Sequence, residues 1–413
     1  MENNSFIPFL ILIYLIIFFF DYVTLRNWHK LAKRRDMPKW TYIVPWAIGG
    51  AMVVNFIYLG SMRFFEVEST MFQKVLYAIA MVWYLPKVVI APAIGIKELF
   101  LLIKRFVRRR ILKRRDDRLD MKKVASRRKF IQNAGWSMAG VPFVIVGHGI
   151  MRTTHDFRVA HVDVGIDNLP PEHEGLRIVQ FSDIHAGSFF TPRPFERAVN
   201  IANNLDADIF IATGDFVNFD QAEYDLISHE FSRVRARYGK FGCLGNHDHY
   251  MIPSDHRLLV RKIRESGINL LINENLKIDI KGKPLQLAGT DNTGHRLELA
   301  DFDLAIEGLS EDEPIYLMCH DPTNWDRSIV GQHKVDLMLA GHTHGGQVKL
   351  GAFGVGISGA QFVYKQWAGL YETDGQQLYV NRGLGTVGPP VRVGIPPEIT
   401  LITLRRREDL EIS

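Results

Sequence analysis

Cysteine is scarce: Cys243 and Cys319 are the only two in 413 residues. At most one disulfide can form, and only if the apolar runs that carry them fold as neighbours. Both read first as buried strand residues. Acidic residues are scarce in the first 150 positions, which hold 24 Lys+Arg against 9 Asp+Glu. Positions 151–413 reverse the balance, with 26 against 36. The net +5 of the whole chain therefore belongs to its N-terminal part. A C-terminal region of formal charge −10 lacks the basic surface that phosphate backbones need, so no nucleic-acid partner is expected. No internal repeat or low-complexity segment is evident.

Long apolar runs, by contrast, fill the first third. Phe6 to Tyr22 is almost unbroken Ile, Leu and Phe, and Tyr42 to Met62 is a second run. A third, Phe72 to Ile103, is interrupted by Lys74, Pro86, Lys87, Pro92, Lys97 and Glu98. A fourth, Ala134 to Ile150, is shorter and richer in Gly. A helix needs about 20 mainly apolar residues to cross a bilayer. The first two runs fit that length, the third is long enough but kinked or partly interfacial, and the fourth is marginal. The lipid bilayer is thus an expected partner.

Charge gives an orientation. Arg26 to Lys39 and Lys104 to Lys129 are strongly basic, whereas Arg63 to Thr70 holds Glu66 and Glu68 against one arginine. Lys/Arg-rich loops stay in the cytoplasm. The C-terminal domain is then expected outside the cytoplasmic membrane if the fourth run spans. Ser126-Arg127-Arg128-Lys129-Phe130-Ile131 resembles a bacterial twin-arginine export signal. No small-residue cleavage site follows closely, so the fourth run is expected to remain as an anchor. The domain reading is 1–104 transmembrane helices in three segments, 105–150 basic loop, export-like motif and fourth run, and 151–413 the acidic domain that would carry the activity.

Within 151–413, five polar clusters each follow an apolar, strand-like run. They are Asp183-Ile184-His185, Gly214-Asp215, Gly245-Asn246-His247-Asp248, His320, and Gly341-His342-Thr343-His344. Strand-like runs alternate with helical stretches at first, then strands dominate. This predicts an α/β (α+β layered) domain with its ligands at strand tips. Carboxylate suits hard divalent ions and imidazole suits zinc, iron or manganese. Asp183 and His185 can reach one ion from a turn. A single carboxylate can bridge two ions, and Asn246 offers a neutral oxygen. Two adjacent metals are a device for attacking phosphate esters.

These five motifs, in this order, resemble the calcineurin-like metallophosphoesterase superfamily, over roughly Leu176 to Glu398. Asn381-Arg382-Gly383-Leu384-Gly385, Pro390-Val391-Arg392 and Pro396-Pro397-Glu398 are similar to its membrane-associated bacterial branch, which includes cell-envelope phosphodiesterases and a pyrophosphatase. The resemblance implies two mixed β-sheets packed face to face with helices outside. It implies one metal held by Asp183, His185, Asp215 and His344, and a second held by Asp215, Asn246, His320 and His342. The ions would be manganese, iron or zinc. A hydroxide shared between them would attack phosphorus, with His247 donating to the phosphoryl oxygen or leaving group and Asp248 orienting His247.

Other residues carry weaker signals. Arg382 and Arg392 read either as phosphate-binding forks or as structural ion-pair partners. Asp291 and His295 follow a strand and are candidates for the pocket wall. The expected activity is hydrolysis of phosphodiester or pyrophosphate bonds in a phosphorylated amphiphilic or small-molecule substrate. Two other readings stand beside it: a membrane sensor that binds metal and phosphate without turnover, and a nuclease, which the acidic domain disfavours.

Overall fold

A computed structural model describes residues 6–64, 71–110, 140–294, 297–352, 355–388 and 390–410. The chain divides into two compact units, Met1–His148 and Gly149–Ser413.

The first unit is helical. Its first three apolar runs become the helices Phe6–Arg34, Trp40–Phe64 and Met71–Arg110. Among the described residues, Trp40–Leu59 and Ala78–Phe106 are long and apolar enough to cross a membrane. Twenty residues at about 1.5 Å each match the hydrocarbon thickness of about 30 Å. The run expected to span first lies in Phe6–Arg34, where Leu12, Leu15, Ile16 and Phe19 are exposed. Among the described residues of this unit two charges are buried: Lys87 pairs with Asp21, and its ammonium sits 3.3 Å from the centroid of the Trp83 ring. An apolar surrounding tolerates such charges only as a pair. The described part of the fourth run, residues 140–150, falls almost wholly in the helix Val141–Met151. Residues 126–131, with the export-like motif, lie outside the described residues.

The second unit is built on two mixed six-stranded sheets. In spatial order the first holds Arg158–Ile166, Glu398–Arg406, Arg177–Phe181, Ile209–Thr213, Lys240–Cys243 and Asn269–Leu270. The second holds Gly369–Thr373, Gln376–Val380, Leu337–Ala340, Ile315–Met318, Lys283–Gly289 and Glu274–Ile280. Side-chain alternation makes the layers. Ile178, Ile209 and Ile211 of the first sheet meet Leu287, Met318 and Leu339 of the second in one buried cluster. Val179, Phe181 and Phe210 face the other way, onto Phe195, Val199, Leu259 and Ile263 of the flanking helices Arg193–Asn203 and Pro253–Glu265. Leu317, Met338 and Leu378 cover the outer side of the second sheet with Trp325 and Ile329. This is the face-to-face arrangement that the motifs implied. Both cysteines are free and buried.

The polar stretch from Gln221 to Arg237 forms a tight turn, Gln221–Leu226, and a short helix, Ser228–Ser232. Ser228 Oγ donates to the Asp225 carbonyl at 3.3 Å, a side-chain bond that competes with a continuous helical ladder. Arg158–Ile166 is a strand that the apolar pattern did not single out. It runs parallel to Glu398–Arg406, and its first half is half-buried or exposed.

The strands that position the site are parallel neighbours. Arg177–Phe181, Ile209–Thr213 and Lys240–Cys243 run parallel in the first sheet, as do Ile315–Met318 and Leu337–Ala340 in the second. Parallel strands end at the same sheet edge, so the loops after them converge.

Candidate metal centre at the strand tips

Asp183 and Asp215 each lie two residues past a strand end, as do His320 and His342, and Asn246 lies three past one. The loops are tightly folded. Asp183, His185, Asp215, His342 and His344 all adopt left-handed backbone, with φ between 44° and 69°. Non-glycine residues there are uncommon, each costing on the order of 1–3 kcal/mol, and such strain gathers at functional sites. Close approach explains two glycines. A Cβ on Gly341 would collide with Ser182 Oγ and Asp183 Oδ2. One on Gly214 (φ 79°) would lie 2.6 Å from the Gly245 nitrogen.

Two groups of ligand atoms result. One comprises Asp183, His185, Asp215 and His344, the other Asp215, His320 and His342. Within each, the ligand atoms lie within 4.8 Å of one another, and Asp215 belongs to both. In the first, His185 Nε2 and His344 Nε2 are 3.0 Å apart, and His344 Nε2 lies 3.2 Å from Asp183 Oδ1. In the second, His320 Nε2 lies 3.1 Å from Asp215 Oδ2 and 3.3 Å from His342 Nδ1. His320 Nδ1 donates to the Thr213 carbonyl at 2.6 Å, which turns Nε2 toward the cluster.

The donor set fits divalent metal. Asn246 Oδ1 is buried with no hydrogen-bond partner, while Nδ2 of the same amide donates to Tyr250 Oη at 2.7 Å. A buried amide oxygen left without a partner is costly unless something else meets it. Electrostatics agree. Burial holds His185 down to about 3, with His247 adding to the effect, and burial holds His344 well below the usual imidazole range. These rings are neutral and carry lone pairs. Burial pushes Asp183 up to about 6. Burial also opposes charge on Asp215 and His320, but their mutual attraction wins: Asp215 sits well below the carboxylate range and His320 rises to about 10. A cation bound there would take the place of the His320 proton.

His247 lies beside the cluster, its ring 4.8 Å from that of His185. Its Nδ1 donates to the Asn218 carbonyl at 2.7 Å, and its backbone nitrogen donates to Asp215 Oδ1 at 2.8 Å. Asp248 does not orient it, contrary to expectation. Asp248 is fully buried and accepts backbone hydrogens from Gly245 (2.9 Å), Phe216 (2.8 Å) and Val217 (3.3 Å), so it ties two ligand loops together. Burial, with Asp215 nearby, pushes its carboxyl up to about 7.

The outlying candidates are engaged elsewhere. Arg392 is fully buried, and its guanidinium donates to the carbonyls of Gly385 (2.6 Å), Arg382 (3.0 Å) and Gly383 (3.1 Å), with Nη2 3.4 Å from His344 Nδ1. It backs His344 with Nη2, while Nη1 is buried without a hydrogen-bond partner. Arg382 pairs with Glu398. Asp291 pairs with His249 Nε2 at 2.7 Å. His295 lies outside the described residues. Tyr250 and Tyr364 border the centre without a sequence signal to mark them; Tyr364 Oη is 3.3 Å from His342 Nε2.

Residues 176–346 match the family described as Calcineurin-like phosphoesterase, and residues 4–154 match the one described as Probable Calcineurin-like phosphoesterase, transmembrane domain. A Bos taurus protein named "Transmembrane protein with metallophosphoesterase domain" is 29% identical over 272 residues, 62% of this chain and 59% of that protein. The Bacillus subtilis "Uncharacterized metallophosphoesterase YkuE" is 29% identical over 295 residues, 69% of this chain and 99% of its own length. Escherichia coli "Phosphodiesterase YaeI" is 27% identical over 241 residues, 58% and 84% of the two chains. The chain thus spans under two thirds of the bovine relative. Its residues 4–154 and 176–346 thus carry a calcineurin-like phosphoesterase transmembrane domain and a calcineurin-like metallophosphoesterase domain.

Proposed function

Starting from a calcineurin-like phosphoesterase domain on a membrane chain, we propose that the centre holds two divalent ions around Asp215. On this reading it hydrolyses phosphodiester or pyrophosphate bonds of an envelope or lipid-linked, phosphorylated amphiphile. The observation that carries it is the sharing of one carboxylate, Asp215, by both ligand groups. Asp183, His185 and His344 complete one site with Asp215; Asn246, His320 and His342 complete the other. When bound, such ions supply Lewis acidity to a phosphoryl oxygen and lower the pKa of the attacking water. The chain contributes the rest. His247, with Nδ1 held by Asn218, has Nε2 free to donate to a phosphoryl or leaving-group oxygen. Asp248 holds the Asp215 and Asn246 loops in register. The membrane anchor favours an amphiphilic substrate, and the basic loops favour a catalytic domain facing the periplasm or cell exterior.

The test uses the purified full chain in nanodiscs with manganese, zinc or iron and an aryl phosphodiester. Hydrolysis that stops with chelator and returns with metal is expected. A folded, metal-loaded sample inert toward mono-, di- and pyrophosphate esters would overturn the enzyme reading in favour of a sensor.

A further inference from the structure

Tyr250 stands one turn beyond Asn246, at a spacing that lets two side chains meet along the short turn Asn246–His249. Its hydroxyl accepts a hydrogen from Asn246 Nδ2 at 2.7 Å, and Asn246 Oδ1 is buried without a hydrogen-bond partner. An amide nitrogen has no lone pair for a cation, so only Oδ1 can ligate. A half-turn of the amide would put Nδ2 where Oδ1 now lies and leave Asn246 useless as a ligand. The tyrosine oxygen is itself held. Its ring lies 4.7 Å from that of His247 and stacks at 6.2 Å on Phe219, with 17° between the planes.

We propose that Tyr250 is a positioning residue: it fixes the amide of Asn246 so that Oδ1 completes the metal site formed with Asp215, His320 and His342. This rests on the two-ion reading above. Partners that orient a ligand typically alter metal affinity by about 10–100-fold. Asp at position 246 would escape the requirement, since both carboxylate oxygens ligate.

The experiment measures manganese binding by calorimetry and spin coupling by electron paramagnetic resonance on the full chain in nanodiscs. Four proteins are compared: wild type, Tyr250→Phe, Asn246→Asp, and the double variant. Wild type is expected to bind a spin-coupled pair. Tyr250→Phe should weaken the second ion about 10–100-fold with the first unchanged, and uncoupled manganese should appear at low loading. In the Asn246→Asp background the same change should cost nothing further. Wild-type affinities in Tyr250→Phe, or equal losses in both backgrounds, would overturn the role of Tyr250 alone. A single uncoupled ion in wild type at saturation would overturn the two-ion reading and this inference with it.

Discussion

His320 donates its Nδ1 hydrogen to the carbonyl oxygen of Thr213 across 2.6 Å, and this bond decides which ring nitrogen faces Asp215. A carbonyl accepts only, so Nε2 is left for the cluster. His320→Ala should therefore reduce the bound divalent metal from two equivalents toward one, counted by plasma mass spectrometry on protein passed through a desalting column. Retention of two equivalents would remove His320 from the ligand set.

The role of His247 is separable from metal binding. Its Nδ1 is occupied by Asn218, and its side chain belongs to neither ligand group. His247→Ala should lower kcat by about 10²–10⁴-fold, the usual scale for a general acid, while metal content stays at the wild-type level. Metal lost in step with activity would make His247 a ligand instead.

A pH effect follows from His249. Burial works against its charge, but the hydrogen bond and charge of Asp291 raise its pKa above the usual imidazole value. A raised pKa means that the pair's contribution to stability is complete below about pH 6.5 and is lost as pH rises through the folded-state value. The melting-temperature gap between wild type and Asp291→Asn should be widest in mildly acidic buffer and close in alkaline buffer. A gap independent of pH would contradict the pairing.

The Lys87–Asp21 pair makes a prediction in the helical unit. Both side chains are almost wholly buried. Lys87→Met alone strands a carboxylate and should cost about 3–5 kcal/mol, read as a lower unfolding temperature in nanodiscs. Adding Asp21→Leu should recover most of that loss. If the second change deepens the loss, the pair is not the reason for the first effect.

Much of the centre was legible because its ligands follow apolar strands and differ in chemistry from their surroundings. Asp183, His185, Asp215, His320, His342 and His344 stood out as polar clusters after strands, the resemblance grouped them as ligands, and they converge. Legibility failed where the folding of a loop chooses a side chain's partner. Arg392 carries the right group for phosphate, yet three backbone carbonyls and the back of His344 surround it. Asp248 stands next to His247 in the chain, yet a turn sends its carboxylate to the backbone of Phe216 and Val217. Tyr250 carried no sequence signal, because its contact with Asn246 four residues back exists only once residues 246–249 close into a tight turn.

Periodicity and residue type were enough for the long apolar helices, the alternating strands and the candidate metal-ligating groups, since these are local properties of the chain. Orientation belonged to the fold. Which nitrogen of His320 faces inward depends on Thr213, 107 positions away, and the backbone of His342 is held by the carboxylate of Asp183, 159 positions away. Short directional bonds between distant segments exist only once two sheets have stacked and brought their strand ends to a common edge, so one-dimensional spacing cannot encode them.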